Sequence, residues 1–156
     1  MFAIKSIADF MIENRWIICQ SVFAVYVVIL AVMDIKWRKL PINILFSGVP
    51  IAVLGAFFGQ HSSLYLVTAG GCVGLFFLLI SRGTREAFGY GDSILITIMG
   101  IFVGFWNILY LLMGAFTMAA VFSAVMMFRH RFNRKSSFPF VPFLAAAYIG
   151  GILIGM

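Results

Sequence analysis

The sequence predicts an all-α, polytopic membrane protein of about six transmembrane helices, folded as one domain over residues 1–156. Three observations predict it. Of the 156 residues, 63% are hydrophobic and only 10% are charged, too little polar surface to cover a water-soluble core. The mean hydropathy is +1.10. The apolar residues also run continuously instead of alternating with period two. Only helices or closed barrels can cross lipid, because backbone groups there must be satisfied internally. Runs without alternation select helices.

A span needs about 20 mostly apolar residues to cross roughly 30 Å of hydrocarbon. By that measure the spans fall at 16–33, 42–58, 64–80, 92–106, 107–128 and 140–156. The stretch 92–128 is too long for one crossing. It is divided at Trp106-Asn107, an aromatic–polar pair suited to a membrane interface. Residues 1–15 place Phe2, Ile4, Ile7, Phe10 and Met11 near helical spacing, compatible with a short interfacial helix or a frayed tail. A cleaved signal peptide fits poorly, because basic residues follow the first apolar run where small residues would mark a cut.

The net charge of +6 is read by position and not as a nucleic-acid signal. Nine of the eleven Lys and Arg lie in the first, third and fifth loops, at Lys36, Arg38, Lys39, Arg82, Arg85, Arg129, Arg131, Arg134 and Lys135. The second and fourth loops have none. By the positive-inside rule the odd loops are cytoplasmic and both termini lie outside. Cys19 and Cys72 sit in apolar runs without paired spacing and read as small buried hydrophobes, not as a disulfide or a metal site. His61 and His130 fall in loops on opposite sides and are expected to take no part in chemistry. No metal and no cofactor are expected.

Five acidic residues are present. Asp9 and Glu13 belong to the tail, and Glu86 lies in a loop beside Arg85. Asp34 follows directly on the end of the first span, and Asp92 opens the fourth. With the first span descending and the fourth rising, both carboxylates come to one membrane face, though 58 residues apart. Two carboxylates that meet cannot both ionise easily, so the pair can hold one proton between them and activate a water against a peptide carbonyl. Acids at helix ends also serve as plain interface markers, and Asp92 suits a helix N-terminus on dipole grounds. An ion- or proton-coupled transporter subunit and a non-catalytic membrane assembly protein therefore stand as alternatives.

Gly89-Tyr90-Gly91-Asp92 places two glycines just before the second acid. Glycine permits close backbone approach, so an extended substrate strand could lie beside the carboxylate. Gly70, Gly71 and Gly74 in the third span, and the pair Gly100/Gly104, read as small residues that let helices pack closely.

Three stretches resemble the type IV prepilin peptidases, the bacterial branch of the Gly-x-Gly-Asp intramembrane aspartic proteases. They are Asp34-Ile-Lys-Trp-Arg-Lys-Leu40-Pro41, Gly89-Tyr90-Gly91-Asp92, and Phe138-Pro139-Phe140-Val141-Pro142-Phe143-Leu144-Ala145. The resemblance covers most of the chain from Asp34 onward. It departs from the family pattern at Ile42, which precedes Asn43, and at Ile94, where many bacterial members carry Lys. The resemblance implies catalysis by Asp34 and Asp92. Gly89, Tyr90, Gly91, Pro41, Pro139 and Pro142 would then shape the site or position the substrate. It implies a prepilin or pseudopilin substrate in the inner membrane. Larger members carry a cytoplasmic insert with paired Cys and an N-methyltransferase activity. This sequence shows neither the insert nor the Cys pairs, so it resembles the short, peptidase-only members, and no methyl transfer and no S-adenosylmethionine site are expected.

Overall fold

The apolar runs become helices because a helix satisfies its own backbone in a medium that offers no hydrogen bonds. The computed structural model describes residues 14–37, 41–58, 63–83, 89–129 and 139–155. Among them are six helices and no strand: α1 (Arg15–Trp37), α2 (Ile42–Phe58), α3 (Leu64–Gly83), α4 (Tyr90–Val103), α5 (Phe105–Arg129) and α6 (Val141–Ile154). Residues 1–13, and with them most of the N-terminal tail, lie outside the described residues.

The helices α1, α3 and α5 are long and apolar enough to cross a membrane. The other three are apolar but shorter, at 17, 14 and 14 residues. Large apolar side chains face outward: Phe57 is 80% exposed, Tyr65 85% and Phe128 87%. That exterior belongs in lipid, and the protein is an all-α membrane protein. Polar side chains inside the helices satisfy themselves. The hydroxyls of Ser21, Thr97 and Thr117 donate to the carbonyls four residues back, at 2.8, 2.9 and 2.7 Å.

Lipid supplies no hydrophobic drive between helices, so packing must hold them together. Gly70 lies against the backbone of Gly100, and Gly74 against the backbone of Thr97. No side chain fits between those surfaces. With Gly104 near Leu66, the contacts set α3 and α4 antiparallel. Phe77 stacks on Phe116 with centroids 5.9 Å apart, so α5 returns beside α3 after the turn at Gly104. Phe23 of α1 stacks on Phe102 of α4 at 4.1 Å and meets the edge of Tyr148 of α6 at 5.6 Å. Each such pair is worth about 0.5–1.5 kcal/mol beyond area burial. Gly55 of α2 leaves the space that the Phe102 ring fills. Tyr26 reaches over Gly48 to donate its hydroxyl to the Leu45 carbonyl at 2.9 Å.

Two sequence expectations are corrected. The break between the fourth and fifth helices falls at Gly104, not at Trp106-Asn107. Gly104 has φ 81° and ψ 173°, a conformation open essentially to glycine alone. Asn107 is half-buried beside the turn, and its amide donates to the Val103 carbonyl at 3.1 Å, one of the acceptors that a helix end leaves over. Gly100 packs helices as expected, and Gly104 both makes the turn and lies against Gly70 and Leu66 of α3. Cys72 is exposed and Cys19 half-buried. Cys19 packs against the core as expected, whereas Cys72 faces outward, where in a bilayer a thiol meets lipid.

Candidate active site

Asp34 stands in the last turn of α1 and Asp92 in the first turn of α4. The helix directions bring these two turns to one end of the bundle, and Asp34 lies close enough for its charge to act on Asp92. Asp34 is 7% exposed and Asp92 is half-buried. A carboxylate out of water needs hydrogen-bond partners. Asp34 has one from the far end of the chain: the backbone N–H of Val141 donates to its Oδ2 at 3.3 Å, across 107 residues.

Asp92 is placed by its own helix. Gly89 caps α4 with φ −60° and ψ 131°, an extended conformation open to any residue. The need for glycine there is one of space. A Cβ on Gly89 would stand 3.1 Å from Asp92 Oδ2, closer than ordinary contact. The bare Gly89 thus accommodates the acid itself. Behind it Ser93 is fully buried. Its N–H and its hydroxyl both donate to the Gly89 carbonyl, at 3.2 and 3.3 Å. Tyr90 is exposed and Gly91 half-buried.

The prolines mark helix starts at the same end. The Pro41 carbonyl accepts the N–H groups of Ile44 and Leu45, at 3.0 and 3.2 Å, opening α2. Pro142 sits in the first turn of α6, where its missing N–H costs nothing. Pro139 is half-buried and lines a cavity of about 190 Å³ with Ala119, Phe122, Ser123, Phe140 and Phe143. Lys36, with its Nζ 5.4 Å from the Trp37 ring, and Arg82 are exposed at this end. Arg38, Lys39, Arg85, Glu86, His61 and His130 lie outside the described residues. Among the described residues, no group of three or more His, Cys, Asp or Glu could hold a metal ion.

Structure thus brings together Asp34, Asp92, Gly89 and the first turn of α6. The partner that sequence reasoning misses is Val141. Its contribution is a backbone N–H, which leaves no trace in residue identity. The one available signal is Pro142 behind it, which marks a helix N-terminus.

The fold defines a class: an α-helical membrane protein, here with two carboxylates brought to one end of its bundle. The chain belongs to the Type IV leader peptidase family, whose profile matches residues 21–124, a stretch containing both acids. It is 27% identical over 135 residues to the "Prepilin leader peptidase/N-methyltransferase" of Bacillus subtilis (strain 168). That match covers 86% of this chain and 54% of the relative, so the chain spans about half the length of the curated protein it resembles. No solved structure matches it.

Proposed function

We propose that the chain is an intramembrane aspartic endopeptidase that removes the leader peptide from type IV prepilins or pseudopilins. Asp34 and Asp92 are its catalytic pair. The observation that carries this reading is the meeting of two acids from α1 and α4 at one end of an apolar bundle, within electrostatic reach of each other. Acids at membrane depth are costly and usually mark function. Membership of a leader peptidase family supports the same reaction.

In the proposed mechanism one carboxylate takes a proton from water as the water oxygen bonds to the scissile carbonyl carbon. The other carboxyl gives its proton to the carbonyl oxygen, forming a neutral gem-diol. Collapse re-forms the carbonyl and breaks the C–N bond. The leaving nitrogen takes the proton held by the first acid, and the second acid regains its own from a hydroxyl. No metal or cofactor enters. The substrate has a short cytoplasmic leader and an apolar helix behind it. That helix lies in the bilayer beside the enzyme, so that the boundary between the two meets the acids. The acid-bearing end faces the cytoplasm in the inner membrane, and both termini lie outside, in keeping with the basic loops. Those loops rest on anionic headgroups.

Reconstituted protein incubated with a prepilin tests the reading. Wild type is expected to release the leader, while Asp34→Asn and Asp92→Asn each lose roughly 10²-fold or more of the rate. Normal cutting by either variant overturns the assignment. Ion flux that depends on these acids, without cleavage, would identify a transporter. Tolerance of both changes in a functional assembly would identify a structural role.

A further inference from the structure

The first turn of α6 has no role in the mechanism above, yet it touches one of the acids. A helix leaves its first N–H groups without intrahelical partners. In α6, Phe140 is the N-cap, and its carbonyl accepts the N–H groups of Phe143 and Leu144, at 3.1 and 3.3 Å. Pro142 has no N–H to give. That leaves the N–H of Val141 as the free donor of the turn, and it is aimed at Asp34 Oδ2 in a buried contact. The Val141 side chain is fully buried, and Tyr148, two turns further along the same face of α6, packs on Phe23 of α1. The donor is therefore held rigidly against the helix that carries Asp34.

We infer that the Val141 backbone N–H is a positioning group for Asp34. It engages Oδ2 and leaves Oδ1 as the atom that meets the reacting water, while Pro142 ensures that no second N–H from this turn competes for the carboxylate. The assignment rests on the peptidase reading for its kinetic consequence but not for the contact itself. Val141 touches neither water nor substrate and acts through Asp34.

Two measurements test it. In protein labelled with ¹⁵N-valine in lipid nanodiscs, the Val141 amide is identified by its loss in Val141→Ile. Asp34→Ala is expected to move that amide proton resonance strongly, and Asp92→Ala to move it far less. Equal movement in both, or none in Asp34→Ala, overturns the contact. The second measurement replaces residue 141 by its α-hydroxy acid, which keeps the side chain and exchanges N–H for an ester oxygen. Then kcat should fall roughly 10- to 100-fold, the size expected for one hydrogen bond to a charged group, with KM within about twofold. Val141→Ala, which retains the N–H but opens a cavity beside it, should lower kcat less than the ester does. An ester variant that cuts at the wild-type rate overturns the positioning role while leaving the catalytic pair intact. Failure of the wild type to cut at all overturns the peptidase reading, and the amide measurement still decides the contact.

Discussion

Asp34 and Asp92 are each answered by a helix N-terminus, but not in the same way. Asp92 lies in the first turn of its own helix, where the helix dipole favours a negative charge. Gly89, three residues back, clears the space that its carboxylate occupies. Asp34 lies in the last turn of its helix, where the dipole of α1 opposes a negative charge. Its compensation comes from α6, through the Val141 N–H at 3.3 Å. One acid is placed by four consecutive residues, the other by tertiary packing. The difference teaches that half of the site is encoded locally, while the other half exists only when α6 docks on α1.

The two halves can be broken separately. The largest effect is expected from Gly100→Leu, which forces a side chain between the backbones of α3 and α4. It should destabilise the protein by more than about 4 kcal/mol, read as loss of folded protein in detergent. Survival of Gly100→Leu with an unchanged melting temperature would contradict the backbone contact. Phe23→Ala removes the ring that joins α1 to Phe102 and Tyr148. A cost of about 3 kcal/mol is expected, measured by thermal unfolding. In that variant the Val141 amide should lose its response to Asp34, while the local setting of Asp92 remains. Gly89→Ala acts on the other half. Its Cβ crowds Asp92 Oδ2 and displaces the acid by a few tenths of an ångström. A fall in kcat of roughly tenfold is expected, with a melting temperature close to wild type. A large stability loss with unaltered kcat would place Gly89 in the fold and not in the site.

The same division governs what the sequence reveals. All six described helices follow from apolar runs and their punctuation by Pro41, Gly89 and Pro142, because those signals act within a turn. Asp92 and its glycines are legible for the same reason. The turn at Gly104 is misplaced by sequence reasoning because Trp106-Asn107 looks interfacial. Asn107 answers the Val103 carbonyl that the break exposes, so its polarity marks a turn that lies a few residues before it. Cys72 misleads because an apolar run in a membrane protein has two apolar sides, and the sequence alone does not say which faces lipid. The Val141–Asp34 contact spans 107 residues and involves a backbone group, so no residue type announces it.

The central claim is that Asp34 and Asp92 work as one unit, and single-turnover cleavage by three variants tests it most directly. Asp34→Asn, Asp92→Asn and the double variant are compared with wild type on one prepilin substrate. Residues acting as a unit are grossly non-additive, so each single variant should lose as much rate as the double. Losses that multiply in the double variant, or a single variant that keeps near-normal turnover, would contradict a shared site.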